Sequence, residues 1–287
     1  ARMLQKPAMV RLHLGPGLAN GLANLHNARR AHSKIVNVVG EHSTWHRASD
    51  PPLAMDIESL ARTVSGWQRT CHDANLIDQD MIDAVDTAKT GQIATLIVPF
   101  DLQKKECGGS DKVVSPVREK QSISEDAFKS AAALLRSSKR AALVLGNKYI
   151  GKEALMTAAR IKQACGCDLI TENFPARIER GAGLPNIKRI PYLPEMALDM
   201  LGIYDAFVFA GAKEPVSFFG YEGVPASLIK EGQKTFHLSL PGEDLLNVLD
   251  MLACELDAPK VIDPSILTSL KKPEIPAGVL NAAKICS

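Results

Sequence analysis

The chain has 287 residues, 46% hydrophobic and 23% charged, with 34 Lys and Arg against 32 Asp and Glu. That apolar content excludes a wholly disordered chain, and a net charge of +2 gives no electrostatic footprint for nucleic acid or an anionic membrane. Aromatics at 5% argue against a base-stacking surface, and apolar runs such as 141–145 and 206–212 are far too short to span a bilayer.

The chain opens on Ala1 and enters a strand-like run, Met9 to Leu14, within ten residues. No apolar signal core or transit segment precedes that run, so the expectation is a cytoplasmic chain cut inside a domain. Gly15-Pro16-Gly17 reads as a turn. Leu18 to Ala31 follows as a helix, with Leu18, Leu22 and Leu25 at helical spacing. Lys34 to Val39 reads as a strand closed by Gly40. Asp56 to Val64 reads as a helix that Asp56 caps. Asp78 to Lys89 is a further helix, capped by Asp78 and stopped by Gly91. Ile93 to Val98 is a continuous apolar strand. Such strands between helices predict a parallel sheet covered on both faces.

Gln103 to Gln121 is rich in Lys, Glu, Gly and Ser without periodicity and reads as a linker. A second α/β unit follows. Ser122 or Ser124 caps a helix running to about Ser138. Strands are expected at Ala141 to Leu145, Asp168 to Thr171, Ala206 to Ala210 and Thr235 to Leu238. Helices are expected at Lys152 to Ala164 and Glu243 to Leu256, with a loose tail from Pro259. The boundaries expected are therefore 1–102, a linker at 103–121, a Rossmann-like unit at 122–258 and a tail at 259–287. Six cysteines (Cys71, Cys107, Cys165, Cys167, Cys254, Cys286) form no C-x-x-C pair and read as reduced, mostly buried thiols.

Three stretches could carry chemistry. His13-Leu-Gly15-Pro16-Gly17-Leu-Ala-Asn20 lies between a strand and a helix, where open α/β sheets bind ligands. Gly146 to Glu153 resembles a phosphate-binding loop, but Glu153 stands where a metal-binding hydroxyl belongs. His42 and His46 are four residues apart, yet they follow a strand and lack the partner Glu of a helical zinc motif, so a polar loop is expected. There is no G-x-S-x-G elbow. The residues alone give two α/β units and one ligand loop, and name no reaction.

The stretch His13 to Ala28, followed by Ile35-Val-Asn-Val-Val-Gly40, resembles the pyrimidine-binding domain of thiamine diphosphate enzymes. The nearest likeness is the acetolactate synthase (acetohydroxyacid synthase) large subunit and its relatives. Asp56 to Arg62 resembles the next helix of that domain, and Thr90 to Pro99 its last strand. Thr171 to Gly181, Pro191-Tyr192 and Ala210 to Val216 resemble the Rossmann-like central domain. The likeness spans about residues 8 to 256.

That resemblance implies decarboxylation or carboligation of 2-oxo acids on thiamine diphosphate, in a homo- or hetero-oligomer. It implies cofactor contacts at His13, Gly15, Pro16, Gly17 and Asn20, with Pro16 and Asn20 against the pyrimidine ring. His13 stands where the biosynthetic synthases often have threonine. Leu53 falls near a glutamine contact that it cannot reproduce. The family's catalytic glutamate belongs before Gly15, and its magnesium–diphosphate domain after the central domain; neither falls within these residues. The expectation is an incomplete pyrimidine-binding domain plus a central domain, inactive alone and with magnesium supplied elsewhere. Alternatives are a regulatory module pairing with a full-length subunit, or a flavin- or nucleotide-binding α/β protein, since some relatives hold FAD in the central domain.

Overall fold

The computed structural model describes residues 1–108, 123–146, 149–272, 278–279 and 281–282. Its first sheet contains β1 (Ala8–His13), β2 (Ile35–Glu41), β3 (Trp67–Thr70) and β4 (Ile93–Pro99). The order is β1-β2-β4-β3 and every pairing is parallel. Every residue of β4 is buried, as an apolar strand covered on both faces should be. Helices α1 (Leu14–Arg30) and α2 (Ile57–Val64) supply Leu18, Leu25, Ile57, Ala61 and Val64 to one face, against Val39, Ile93 and Ile97. Helix α3 (Ile77–Lys89) packs Ala84 and Ala88 on Val36 and Ala94 of the other face. A short helix α4 (Phe100–Gln103) closes the unit.

The second sheet is built around α5 (Glu125–Ser137), β5 (Ala141–Leu145), α6 (Lys152–Cys165), β6 (Asp168–Thr171), β7 (Lys188–Arg189), α7 (Pro194–Leu201), β8 (Ala206–Ala210), β9 (Lys234–Ser239) and α8 (Leu245–Glu255). The parallel order β7-β6-β5-β8-β9 places β5 at the point where the chain changes direction across the sheet. Helices α5, α6 and α8 cover one face, and α7 covers the other. Phe207 and Phe209 are fully buried under α7. Truncating either to Ala would cost about 3–5 kcal/mol, because the cavity would add to the lost transfer energy.

The structure corrects several expected boundaries. Gly15-Pro16-Gly17 is the first turn of α1 and not a turn before it. Proline fits there because the first helical amides have no partner within the helix to lose. Strand β2 runs through Gly40, which pairs with His13 and Val98, to Glu41. Asp78 lies inside α3, whose entry is a short 3-10 turn capped by Asp73. Of the two caps expected for α5, Ser124 serves, its hydroxyl accepting the Ala127 amide at 3.3 Å, while Ser122 lies outside the described residues. Helix α8 starts two residues late, behind Asp244.

Strands β3 and β7 and helix α7 were not expected. Trp67-Gln-Arg-Thr70 escaped because it lies at the sheet edge and is only half-buried, so it carries no apolar run. The tail is partly docked. Thr268 donates its amide to Leu184 O at 2.8 Å and accepts from Gly183 at 2.9 Å. Most of the expected linker, residues 109–121, lies outside the described residues.

The cysteines also differ from expectation. Cys71 and Cys167 are buried, Cys165 is half-buried, and Cys107 and Cys254 are exposed. Cys286 lies outside the described residues. Among the described residues, no helix is long and apolar enough to cross a membrane.

Candidate cofactor-binding site

The strand-to-helix junction at the carboxyl end of β1 has no loop. His13 is the last residue of β1 and caps α1 without a side-chain hydrogen bond; Leu14 begins the helix with φ +54°. A left-handed backbone strains a leucine by roughly 1–2 kcal/mol. Leu14 is only 6% exposed, so burial of its side chain opposes that strain. The sharp bend places the first turn of α1 directly at the carboxyl edge of the sheet.

The five expected cofactor residues come together there. Pro16 and Asn20 are four apart and share one face of α1, as do His13 and Gly17. Asn20 and His13 are exposed, Pro16 and Gly17 half-buried, and Gly15 buried. A Cβ at Gly15 would overlap the Met55 side chain and lie 2.7 Å from its Sδ. Gly17 is freer; its nearest neighbours would be Leu12 C at 3.4 Å and His13 Cβ at 3.5 Å. No acidic residue lies in the first turn of α1, so its partial positive charge is not neutralised from within. The open approach at Gly17 and an uncapped helix start fit a flat, acceptor-bearing ring.

The loop after β2 borders this edge. Glu41 is 4% exposed. Its Oε1 accepts the His42 amide at 2.6 Å, and its Oε2 lies 3.7 Å from Arg47 Nε. Asp101, just past β4, pins the same loop by accepting Thr44 N at 3.0 Å and Thr44 Oγ1 at 2.6 Å. The Thr44 hydroxyl holds the Asp101 carboxyl below its ordinary value. His42 and His46 meet edge to face at 5.9 Å, with Trp45 5.3 Å from His46. The expected polar loop is therefore present, tied by carboxylates at both ends.

A cavity of about 470 Å³ opens at the same sheet edge, beyond β3. Glu58, Gln68, Arg69, Thr70, His72 and Asp80 are among its lining residues. Glu58 accepts the Thr70 hydroxyl at 2.7 Å, while Arg69 bridges Asp80 and Asp83 at 2.7 and 2.9 Å. Sequence reasoning missed it because it missed β3. The available signal was the β-branched and aromatic pair Trp67 and Thr70 between two helical stretches.

In the second unit, Asn147 and Lys148 of the phosphate-loop lookalike lie outside the described residues, and its described residues are closed by their own chain. Glu179 accepts the Lys152 amide at 2.8 Å at the N-terminus of α6, and also the Tyr149 hydroxyl. Ile150 exchanges backbone hydrogen bonds with Arg177 and Glu179. A Cβ at Gly146 would collide with the Gly211 carbonyl and lie 2.6 Å from Ala212 Cα. The anion that α6 could attract is thus already an intramolecular carboxylate.

Comparison with known proteins agrees with this geometry. The family model for the thiamine pyrophosphate enzyme N-terminal TPP binding domain matches residues 1–63. Over 283 residues the chain is 40% identical to the IlvX protein of Mycobacterium tuberculosis, named for an acetolactate synthase large subunit, covering 98% of this chain and 54% of that protein. A structure from Mycobacterium smegmatis, titled as a thiamin diphosphate-dependent enzyme, superposes with TM-score 0.71 at 19% identity, over 93% of this chain and 54% of that one. The thiamine diphosphate-dependent 4-hydroxybenzoylformate decarboxylase of Rhodococcus jostii RHA1 does so with TM-score 0.70 at 18% identity, over 95% and 54%. These two structures share the fold. The chain is similar to thiamine diphosphate-dependent enzymes, and over nearly its whole length to an acetolactate synthase large-subunit-like protein; it spans about half the length of that curated relative and of the solved structures it matches.

Proposed function

We propose that this chain supplies the pyrimidine-facing side of a thiamine diphosphate site that serves decarboxylation or carboligation of a 2-oxo acid. The observation that carries this reading is the bare first turn of α1 at the carboxyl edge of a parallel sheet, with Pro16 and Asn20 on one face. When bound, the cofactor supplies an electron sink for the pair left as carbon dioxide departs. Pro16 offers a rigid surface to the ring, and Gly17 lets the ring approach the backbone. Asn20, one turn further on, offers an amide that can donate or accept. Met55 covers Gly15 and excludes water from the helix start. Under this reading, residues outside this stretch hold the diphosphate and its magnesium.

The same proposal holds that these 287 residues alone do not turn over a 2-oxo acid. Glu41, the buried carboxylate at this edge, already holds the His42 amide and faces Arg47. Under this reading that carboxylate orders its own loop and does not serve a ring nitrogen. The test is pyruvate consumption by the purified 287-residue chain with thiamine diphosphate and magnesium. No turnover is expected, together with weak thiamine diphosphate binding that Asn20→Ala diminishes. Enzyme-like turnover, or binding indifferent to Asn20→Ala, would overturn the respective part.

One observation favours a second reading, a module that pairs with a fuller subunit. Strand β1 is an edge strand whose Met9, Arg11 and His13 face solvent, leaving part of a parallel sheet uncovered. Co-purification of the chain with a full-length relative, lost on Met9→Lys, would support it.

A further inference from the structure

We propose that the cavity of about 470 Å³ beyond β3 binds a small organic cation rich in N–H donors, a primary ammonium or guanidinium compound. Its volume is that of a small-molecule site. The reading does not rest on the thiamine diphosphate site: in the order β1-β2-β4-β3, β3 is at the opposite edge of the sheet from β1.

The first argument is a count of donors and acceptors. Parallel register lines up Asn37 of β2, Thr95 of β4 and Gln68 of β3 in one row across the sheet. The row is polar although Thr95 alternates with Ile93 and Ile97 on an apolar face. Asn37 and Thr95 are fully buried. Asn37 Nδ2 donates to Thr95 Oγ1 at 3.2 Å, and Thr95 Oγ1 lies 2.7 Å from Ser65 Oγ. Asn37 Oδ1 and Gln68 Oε1 are buried and have no donor among the described residues. A buried acceptor without a donor costs stability, and folded proteins keep few of them. Two stand in this one row, and Gln68 also lines the cavity. A turn about the terminal bonds of Gln68 brings its oxygen to a donor entering there.

Charge points the same way. Glu58 and Asp80 line the cavity. Arg69 Nη1 is shared between Asp80 at 2.7 Å and Asp83 at 2.9 Å. Three carboxylates thus stand against one guanidinium, and the excess is negative. Asp80 is 5% exposed, so salt screens it poorly. Glu58 Oε1 accepts the Thr70 hydroxyl at 2.7 Å, which fixes this carboxylate in the wall and leaves Oε2 as the atom offered to the ligand. Charge-assisted hydrogen bonds of that kind are roughly twice as strong as neutral ones. Leu76 supplies an apolar wall for a methylene stem. An anion fits poorly, because the guanidinium lining the cavity is already paired twice. Among the described residues no group of three or more His, Cys, Asp or Glu is placed to hold a metal ion, so the cation is organic.

The test is titration of the isotope-labelled, full 287-residue chain with two cations of equal charge, butylamine and butyltrimethylammonium, followed by amide resonances. Butylamine should shift the amides of Glu58, Gln68 and Thr70. Butyltrimethylammonium, which has no N–H, should bind about tenfold more weakly. Glu58→Gln should weaken butylamine about tenfold, and Gln68→Met, similar in volume but without the acceptor, about threefold. Glu153→Gln, on α6, should bind as wild type does. The dispersion of the same spectra shows that each variant is folded. The proposal fails if butylamine moves none of these amides, if the two cations bind equally, or if Glu58→Gln binds at wild-type strength. Wild-type binding by Gln68→Met would overturn the role of the polar row.

Discussion

Met55 lies across Gly15 so closely that any side chain at position 15 would meet its thioether, with Sδ 2.7 Å from the place a Cβ would occupy. The contact joins the loop after β2 to the first turn of α1, and it fixes the floor of the proposed ring site. Gly15→Ala should therefore destabilise the chain by about 1–3 kcal/mol through overpacking. Met55→Gly, which also removes the Met55 Cβ that lies nearest the added carbon, should remove most of that penalty, giving a coupling of about 1 kcal/mol or more in a double-mutant cycle. Urea midpoints of the four proteins measure it; additive effects would show that Met55 moves aside freely.

Leu14 invites a comparison of two truncations. Both Leu14→Ala and Leu14→Gly lose the buried side chain, at about 2–5 kcal/mol. Only glycine also relieves the left-handed backbone at φ +54°. Leu14→Gly should thus be the more stable of the two by roughly 0.5–1 kcal/mol, even though it begins a helix. Calorimetric unfolding of the pair decides it, and the reverse order would place the strain elsewhere.

Asp168 should give a visible acid limb. Burial by itself would raise its carboxyl, but hydrogen bonds from Lys188 at 2.7 Å, Tyr204 at 2.7 Å and Lys162 at 3.0 Å hold it well below the usual carboxylate range. A carboxyl depressed in the fold contributes stability that is full above its unfolded value, about 3.9, and fades as pH falls through the lower folded value. Asp168→Asn should cost about 1–2 kcal/mol at pH 7, and the gap to wild type should narrow below about pH 4. A constant gap from pH 7 to pH 3 would rule out this role for the charge.

Glu179 already supplies the anion at the start of α6. Removing it should open that helix N-terminus to small anions. Sulfate stabilises folded proteins generally, so the test is the excess: in Glu179→Ala, the rise in melting temperature by sulfate over chloride at matched ionic strength should exceed that in wild type. Equal responses in both proteins would mean that another group covers the amides.

Much of the architecture was readable along the chain because local signals and tertiary context agreed. Ile93 to Val98, apolar but for Thr95, and Ala206 to Ala210, apolar throughout, both became fully buried strands. Asp56 and Ser124 stand where caps belong, and both accept the amide three residues on. Where tertiary packing overrode local pattern, the reading failed. Trp67 to Thr70 is a strand only because β4 offers it a free edge, and Gly15 to Gly17 is helical because Leu14 accepts the bend that glycines were expected to provide.

The alternation of apolar runs and helical spacings determined two parallel α/β units, and the order His13, Gly15, Pro16, Gly17, Asn20 determined where a ligand-facing helix would begin. Those are local properties, set by side-chain periodicity and backbone freedom. Only the folded chain decided that Met55 rests on Gly15, that Glu41 holds its own loop, and that Glu179 fills the start of α6. Each of these depends on where distant segments converge, or on how a turn orients its neighbours. Side-chain spacing along one element carries no record of that.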